Sequence, residues 1–349
     1  MEYKLKADAQ LAALAKKENV NILAIETSCD ETAAAVVQNG RTVKSSVYHT
    51  QIAIHAQYGG VVPEIASRNH LEKLPSVVEW ALKEANCTFE DIDAVAVTYG
   101  PGLVGALLTG VSYAKALAYG LNKPLIPVNH IEGHICANYI THAQLEPPFI
   151  CLIVSGGHTN IVKVEDYGVY RPLGSTRDDA AGEAFDKVAR VLGLSYPGGP
   201  NLQKLAETGD PDAYTFPKSF KGEHHLDFSF SGLKTAVINM LHQMDQKKIP
   251  YRREDVAASF QKTVANTLMT NTFEAARREG LKVVALAGGV SANAYLRDRA
   301  LQEKGIKLYL PDLKYCTDNA AMIASAAYYR LAKGAAGLDL NAIPSLELV

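Results

Sequence analysis

Several features that would identify common classes of protein are missing from this chain. The five cysteines never form a C-x-x-C pair, and no stretch approaches the roughly 18 apolar residues of a membrane span. Residues 1–20 mix charges of both signs and lack the apolar region of a secretory signal peptide. These absences argue against a disulfide framework, a cysteine zinc site and a transmembrane segment. They predict a protein of the reducing cytoplasm.

The charge balance gives the chain no general attraction for nucleic acid. Lysine and arginine number 35 and aspartate and glutamate 37, for a formal net charge of −2. A phosphate backbone must therefore be held by local basic patches or by a partner. The candidate patches are Lys247-Lys248, Arg252-Arg253, Arg277-Arg278 and Arg297 with Arg299. A solvated helix or loop face is the better explanation for most of them.

The apolar pattern predicts duplicated α/β lobes. A length of 349 residues with 48% hydrophobic residues suggests two domains of comparable size. A strand, polar turn and strand occupy residues 22–37, and the same pattern returns at 149–164. Predicted helices cover 68–85, 103–119, 179–192, 232–244 and 255–279, and further strands cover 94–98, 282–287 and 307–310. The last helix ends near Leu331, and we expect it to fold back onto the first lobe.

Two histidines at helical spacing form the strongest candidate for a metal site. His130 and His134 follow the short strand at residues 125–128, and their i, i+4 spacing places both imidazoles on one helix face. Asn129 is a candidate cap for that helix. Glu132 lies about 200° around the helix from His130, so its carboxylate points away and a zinc-peptidase site lacks its general base. Ordinary polar residues on a half-exposed helix explain the pair equally well.

Other polar positions also allow two interpretations. Asp318 lies at a strand-to-helix turn, where it could cap the helix or complete a site of two histidines and one carboxylate. The turn at Ser155-Gly156-Gly157 offers backbone N–H groups to a phosphate, although any tight hairpin uses glycine. Periodicity alone places Asp186 on a solvated helix face. Gly288-Gly289 is not a dinucleotide fingerprint, and the chain has no G-x-x-x-x-G-K-[ST] loop.

Eight motifs follow one another between about residues 22 and 331. They are Ile25-Glu26-Thr27-Ser28-Cys29-Asp30-Glu31-Thr32, His130-x-x-x-His134, Val154-Ser155-Gly156-Gly157-His158-Thr159, Asp178-Asp179-Ala180-Ala181-Gly182-Glu183-Ala184-Phe185-Asp186-Lys187, Tyr196-Pro197-Gly198-Gly199-Pro200, Phe228-Ser229-Phe230-Ser231-Gly232-Leu233-Lys234, Gly288-Gly289-Val290-Ser291-Ala292-Asn293 and Cys316-Thr317-Asp318-Asn319. In this order they closely resemble the bacterial TsaD branch of the tRNA N6-adenosine threonylcarbamoyltransferases.

The resemblance implies an actin-like (RNase H-like) fold with two lobes around a central nucleotide cleft. We therefore expect an N-terminal extension at 1–21, a first lobe at 22–128 plus 318–335, a second lobe at 129–317 and a C-terminal tail at 336–349. It also implies transfer of threonylcarbamoyl from threonylcarbamoyl-adenylate to N6 of the adenosine at position 37, in tRNAs that read codons beginning with A, with release of AMP.

The resemblance also assigns site residues by position. His130, His134 and Asp318 would bind one divalent metal, with Fe²⁺ favoured and Zn²⁺ as the alternative. The adenylate would be held by Ile153, Val154, Ser155, Gly156, Gly157, Asp186, Gly199 and Asn293. Asp30 is the candidate that orients or deprotonates the attacking amine, with Glu31 as a second candidate; a turn-stabilising role is the alternative.

One position departs from the family pattern. Many relatives carry an aspartate where this chain has Gln203, which puts a carboxylate contact to the ribose in doubt. An amide can still hydrogen-bond a hydroxyl, so Gln203 remains a candidate ligand contact and we expect activity to survive.

The implied partners are tRNA, a smaller paralogous subunit (TsaB-like), an ATPase subunit (TsaE-like) and a separate threonylcarbamoyl-adenylate synthase. Two other enzyme functions are alternatives to this transfer reaction: a small-molecule kinase and a metallopeptidase. A kinase of this fold would hold Mg²⁺ through carboxylates and phosphates and would not need the histidine pair. A non-catalytic nucleotide-dependent binding module would lose no turnover when His134 or Asp318 is replaced.

Overall fold

The framework of the chain is a pair of five-stranded sheets, seen in a computed structural model that describes residues 2–217 and 225–349. The first sheet contains β1 (Asn21–Glu26), β2 (Glu31–Gln38), β3 (Thr42–Thr50), β4 (Ala94–Gly100) and β5 (Leu125–Asn129). The second contains β6 (Phe149–Val154), β7 (Thr159–Asp166), β8 (Val169–Ser175), β9 (Val283–Ala287) and β10 (Lys307–Tyr309).

The two sheets have the same topology. The strand order is β3-β2-β1-β4-β5 in the first and, read from its β8 edge, β8-β7-β6-β9-β10 in the second. In each sheet the two pairs of the meander are antiparallel and the two pairs that follow are parallel. Each sheet therefore begins with one of the two predicted hairpins. The prediction of duplicated α/β lobes is confirmed.

Helices connect the strands and cover the sheets. They are α1 (Glu2–Leu14), α2 (Ile52–His55), α3 (Pro63–Glu84), α4 (Val104–Gly120), α5 (His130–Thr141), α6 (Ala181–Val191), α7 (Gly198–Ala206), α8 (Ser231–Lys247), α9 (Arg253–Arg278), α10 (Ala294–Leu301) and α11 (Ala320–Tyr329). Within the described residues, none of these helices combines the length and apolar character needed to cross a membrane.

Each unit has its own apolar core. In the first, Leu74 and Val78 of α3 and Val111 of α4 pack with the buried residues of β1, β2 and β4. In the second, the strand residues of β6 and β9 pack with the apolar faces of α6 and α9, including Phe185 and Phe260, whose ring centroids lie 5.2 Å apart. Burial of such aromatic and aliphatic side chains is the main stabilising contribution to each unit.

The unit boundaries differ from the predicted ones. The first unit comprises Met1–Leu145 and Pro311–Val349, and the second comprises Glu146–Leu310. The histidine helix α5 belongs to the first unit because it packs against α11, which folds back onto β1 and β2 as expected. The predicted tail also belongs there, since Ala336 N–H donates to Leu125 O at 2.8 Å.

The N-terminal extension is helical and is held by the first unit. Ala7 and Leu11 of α1 are buried, and the Tyr3 hydroxyl donates to Lys123 O at 2.8 Å. The N-terminal segment therefore packs against the first unit and is part of it.

Candidate metal centre and nucleotide-binding loops

The helix that carries the histidine pair begins at the carboxyl end of β5. The Asn129 side chain accepts hydrogen bonds from Ile131 N at 2.8 Å and Glu132 N at 3.4 Å, which confirms the predicted cap. His130 and His134 are only 8% and 1% exposed. The alternative of polar residues on a half-exposed helix is therefore wrong, because α5 is covered along nearly its whole length.

A glycine between the histidines allows α11 to approach α5 closely. A Cβ at Gly133 would lie 2.7 Å from Ile323 Cδ1, well inside van der Waals contact. The cap of α11 is Asn319, whose side chain accepts from Met322 N at 2.9 Å. The interpretation of Asp318 as the cap is therefore wrong. Asp318 lies one residue earlier, beside both histidines.

Three predicted metal ligands converge within the first unit. Asp318 Oδ1 lies 3.5 Å from His130 Nε2 and 3.3 Å from His134 Nε2. One ligand atom from each residue lies within 4.8 Å of the other two. A metal held at about 2.0–2.2 Å from nitrogen and oxygen ligands keeps those atoms about 3–3.5 Å apart. The site needs only small side-chain movements to reach that geometry.

A buried glutamate that the sequence reasoning did not single out supports His130. Glu26, at the end of β1, is fully buried, and its Oε2 lies 2.9 Å from His130 Nδ1. The same carboxylate accepts from Thr98 Oγ1 at 2.6 Å and from Ser28 N at 2.5 Å. The sequence signal for Glu26 was its position at the end of an otherwise apolar strand. A carboxylate buried at such a position needs specific partners.

The carboxylates create a strongly negative local field. Burial acts to lower the pKa of His130, but Glu26 and Asp318 outweigh it and raise that pKa to about 9. At His134 burial prevails and lowers the pKa. Burial acts to raise the pKa of Glu26, yet the neighbouring His130 holds it below its ordinary value. A field that favours a protonated imidazole also favours a metal cation.

The donor set fits a divalent metal. Both ring nitrogens of His134 are buried; Nε2 has only Asp318 Oδ1 beside it, at 3.3 Å, and Nδ1 has no hydrogen-bond partner in the described part of the chain, which is costly for a structural histidine. Two imidazoles and one carboxylate suit iron or zinc and leave further coordination positions open. His130, His134 and Asp318 are therefore the residues that would hold the ion.

Glu132 is committed to a different contact. Its carboxylate is 1% exposed and lies 2.6 Å from Arg330 Nη1. The prediction that it points away from the histidine face is confirmed. A peptidase-type general base is therefore absent from this position.

The tip of the first hairpin brings two more acidic residues near this cluster. Asp30 is buried, and Glu31 Oε1 accepts from Thr50 Oγ1 at 3.2 Å. Burial, followed by the charges of Asp30 and Asp318, raises the pKa of Glu31 to about 9. Burial and the same acids also raise the pKa of Cys29, so its thiol is not a ready nucleophile.

A histidine of α3 fixes the backbone of this tip. His70 Nε2 lies 2.8 Å from Cys29 O, and its Nδ1 lies 2.8 Å from Thr32 Oγ1. Sequence reasoning did not single out His70, because a histidine on an amphipathic helix has no local signal for such a role. The hairpin tip is consequently anchored on both sides of Asp30.

The second hairpin uses its backbone rather than acidic side chains. Ser155 N donates to His158 O at 2.8 Å, and Ser155 Oγ accepts from His158 N at 3.1 Å. Gly156 and Gly157 lie exposed at the turn, with nothing within 4 Å of a Cβ built at either position. The turn is therefore open to an anion, a ligand that backbone N–H groups of glycine turns can bind. The side chains of Ile153 and Val154 are fully buried, so those residues can offer only backbone atoms.

Helix α6 packs directly on this turn. Gly182 N donates to Ser155 O at 3.2 Å, and a Cβ at Gly182 would lie 2.6 Å from the same oxygen. Only glycine therefore fits without moving the turn.

Asp186 and Gly199 are brought together. Asp186 Oδ1 accepts from Gly199 N at 3.1 Å, at the first turn of α7. Burial is the main influence on Asp186 and raises its pKa. The prediction of a solvated helix face is therefore wrong, because α7 covers a side chain that the periodicity of α6 alone leaves outside.

Gln203 and Asn293 meet at the beginning of α10. Gln203 Oε1 accepts from Ala294 N at 3.0 Å, while Asn293 Oδ1 caps the helix through Leu296 N at 2.9 Å. Asn293 Nδ2 donates to Gln261 Oε1 at 2.7 Å. Both side chains thus have local structural contacts in addition to any ligand contact.

Several candidate phosphate-binding residues already contact their neighbours. Arg277 and Arg278 pair with Glu274 at 3.0 and 2.8 Å, and Arg252 lies 3.5 Å from Asp255. Arg299 Nε donates to Asn266 Oδ1 at 3.0 Å. These contacts fit solvated structural faces, the explanation that the sequence favoured for most of the basic residues.

Comparison with known proteins gives consistent matches along the chain. The family model for TsaD, described as tRNA N6-adenosine threonylcarbamoyltransferase, matches residues 42–325. A protein of that name from Clostridium perfringens (strain SM101 / Type A) is 59% identical over 331 residues, which are 94% of this chain and 98% of the relative. Another, from Clostridium botulinum (strain 657 / Type Ba4), is 56% identical over 336 residues, 95% of this chain and 99% of the relative.

A solved structure supports the fold class. The chain resembles full-length HypF in its phosphate- and nucleotide-bound form with a TM-score of 0.59 and 16% identity, over 89% of this chain and 46% of that one. At this identity the likeness shows the fold alone, and it agrees with the expected actin-like class.

Proposed function

The chain belongs to the TsaD family of tRNA N6-adenosine threonylcarbamoyltransferases, and from this premise we propose how its residues serve the reaction. It is an acyltransferase of t6A biosynthesis. In detail, we assign it the transfer of threonylcarbamoyl from threonylcarbamoyl-adenylate to N6 of adenosine 37, in tRNAs that read codons beginning with A. The cluster of His130, His134 and Asp318 carries the proposal, because a kinase of the same fold has no need of it.

The bond changes require orientation more than covalent catalysis. The N6–carbon bond forms as the bond between the carbamoyl carbon and the phosphate oxygen breaks, AMP leaves, and N6 loses one proton. The mixed anhydride is already activated, whereas the exocyclic amine is a weak nucleophile because its lone pair is delocalised. Holding the two reactants together and stabilising the negative charge of the leaving phosphate can therefore supply much of the rate enhancement.

The first unit would supply the charge stabilisation and the base. A divalent metal, Fe²⁺ by preference and Zn²⁺ as the alternative, when bound provides positive charge for a phosphate or carbonyl oxygen. Asp30 is our candidate for orienting the amine and receiving its proton. Glu31 is less suited to that task, because burial and the charges of Asp30 and Asp318 raise its pKa above that of an ordinary glutamate.

The second unit would supply contacts to the adenylate. The exposed turn at Gly156 and Gly157, which has no Cβ in the way, suits the phosphate. Asp186 beside Gly199, and Gln203 beside Asn293, provide polar groups that suit the ribose and base.

We propose that partners hold much of the tRNA. A net charge of −2 gives little attraction for a phosphate backbone, and several basic residues are paired with acids. The family resemblance points to a TsaB-like paralogous subunit and a TsaE-like ATPase, with a separate synthase that makes the adenylate. The five free cysteines among the described residues suit a cytoplasmic setting.

The test is nucleoside mass spectrometry of unmodified tRNA after incubation with this protein, the proposed partners, threonine, bicarbonate and ATP. Asp318→Asn should lower formation of threonylcarbamoyladenosine on the order of 100-fold or more, because it removes the carboxylate shared by both histidines. Asp339→Asn, at an exposed position of the same unit, is the matched control and should retain activity. The assignment fails if no modified nucleoside forms with partners that support a known relative.

A further inference from the structure

Among the described residues, Glu26 hydrogen-bonds to His130 but not to His134, the other histidine of the candidate metal site. Its carboxylate lies 2.9 Å from His130 Nδ1, while the corresponding nitrogen of His134, Nδ1, is buried without a hydrogen-bond partner within the described residues. The two histidines of the cluster are therefore not equivalent. His130 has a fixed support on the side away from Asp318.

The other contacts of Glu26 determine which way its hydrogen bonds run. Oε1 accepts from Ser28 N at 2.5 Å, and Oε2 accepts from Thr98 Oγ1 at 2.6 Å. Ser28 N is a backbone donor that cannot reverse its role, whereas the Thr98 hydroxyl can donate or accept. A carboxylate satisfies the whole set, because it accepts at both oxygens and needs no donor of its own.

We propose that Glu26 is a positioning residue that holds the proton of His130 on Nδ1 and so directs the Nε2 lone pair towards Asp318 and the metal. This inference rests on the metal site of the proposed function. Ser28 Oγ, 3.1 Å from the same Nδ1, cannot fix the tautomer, because a hydroxyl can donate to Nδ1 or accept from it. A ligand histidine whose other nitrogen donates to a carboxylate has a fixed ring orientation and greater basicity.

The substitution Glu26→Gln tests this role with almost no change of shape. The amide oxygen must face Ser28 N, because two N–H groups facing each other would repel. The amide NH₂ then faces Thr98 and His130 and donates to Nδ1. That contact places the imidazole proton on Nε2, the nitrogen that should bind the metal. The fold should tolerate the change, but the metal should bind less tightly.

The chain offers a matched control in Glu132→Gln. Glu132 is equally buried, lies two residues from His130 and pairs with Arg330 at 2.6 Å, yet it points away from the cluster. Loss of a buried charge should therefore destabilise this variant without affecting the metal ligands. A general effect of losing a buried carboxylate would appear in both variants.

The experiment is a Zn²⁺ competition titration against a chromophoric chelator, on the full-length wild type and both variants, with thermal unfolding of the metal-free proteins alongside. Glu26→Gln should weaken Zn²⁺ binding by about 10–100-fold, and Glu132→Gln should stay within about threefold of wild type. Equal affinity of Glu26→Gln and wild type would overturn the positioning role and leave the metal site intact. Absence of Zn²⁺ binding by wild type would overturn both.

A second measurement keeps the inference testable if Glu26→Gln fails to fold. Histidine ¹⁵N NMR of the zinc-loaded wild type should show His130 with a hydrogen-bonded proton on Nδ1 and zinc on Nε2. Zinc on Nδ1 would contradict the proposal without reference to any variant.

Discussion

The two hairpins occupy the same place in two sheets of the same topology, but they present different chemistry. The β1–β2 hairpin carries buried acidic residues, Glu26 and Asp30, and His70 holds its backbone through Cys29 O. The tip of the β6–β7 hairpin exposes Gly156 and Gly157 and is supported by Gly182 from below. One scaffold thus provides buried acidic side chains in one unit and an exposed glycine turn in the other.

The difference has consequences for how each site can be damaged. In the first unit the geometry depends on hydrogen bonds and charges between side chains, so it is sensitive to protonation. In the second it depends on close approach of the backbone, so it is sensitive to added volume. The two sites should therefore respond to different substitutions.

The largest effect is expected from Gly182→Ala in the second unit. Its Cβ would lie 2.6 Å from Ser155 O and 2.8 Å from Gly156 Cα, so the turn or the helix must move. We expect a loss of about 1–3 kcal/mol in the free energy of unfolding, together with weaker AMP binding. Urea unfolding and calorimetric titration with AMP measure the two effects.

Gly232→Ala is the matched control for that prediction. It lies in the first turn of α8, and nothing lies within 4 Å of its added Cβ. Its stability should be unchanged or higher by up to about 1 kcal/mol. If Gly182→Ala behaved like this control, close backbone approach would not govern the second site.

A smaller, pH-dependent effect is expected from Glu31→Gln in the first unit. Folding raises the pKa of Glu31 from 4.5 to about 9, so between these values the native state holds more protons than the unfolded chain. The stability of wild type should therefore fall as pH rises through this window, and the variant should lack that loss. At pH 8 in the presence of a chelator, we expect the variant to gain at least about 1 kcal/mol, or roughly 2–4 °C in Tm.

The exposed Glu72→Gln on α3 is the comparison for Glu31→Gln. Its melting temperature should follow that of wild type at every pH. If the stability of Glu31→Gln fell with pH as steeply as that of wild type, burial and the neighbouring acids would not raise the pKa of Glu31.

The smallest effect is expected from Gln203→Asp, which introduces the residue that the family pattern implies at this position. The shorter side chain withdraws from Ala294 N, but that donor lies at an exposed helix start where water can replace the contact. The Kd for AMP should change by less than about threefold and the free energy of unfolding by about 0.5 kcal/mol.

Gln203→Glu is the control, because it introduces the same negative charge as Gln203→Asp but keeps the side-chain length of glutamine. If Gln203→Asp bound AMP tenfold more tightly than wild type and Gln203→Glu did not, a carboxylate contact to the ligand would be missing from this chain. That result would also show that side chains, and not only the backbone, determine affinity in the second unit.

The accuracy of the sequence predictions depended on how local the determining interactions are. The apolar run at Phe149–Val154 and the cap at Asn129 could be predicted because the pattern and its cause lie within a few residues. The third strand of each sheet, β3 and β8, was not predicted. Their side chains are mostly half-buried or exposed, which weakens the alternation of apolar and polar residues.

Within the site, residues with a local motif were found and residues supported from a distance were missed. The histidine pair and Asp318 were predicted and do converge, but Glu26 and His70 act through contacts more than 40 residues apart in sequence. Asp186 was misplaced for a related reason. The periodicity of α6 describes one helix and cannot include the start of α7, which covers that carboxylate.

The sequence by itself determined the duplicated hairpins, the α/β class and the family, because each depends on residue types at fixed short spacings, and through the family resemblance it named His130, His134 and Asp318 as candidate metal ligands. Only the tertiary structure decided that α5 belongs with α11, that Glu26 supports one histidine and not the other, and that Asn319 rather than Asp318 caps its helix. Those outcomes depend on which buried polar groups meet across the core. Their hydrogen bonds are set by packing between distant segments and not by local propensity.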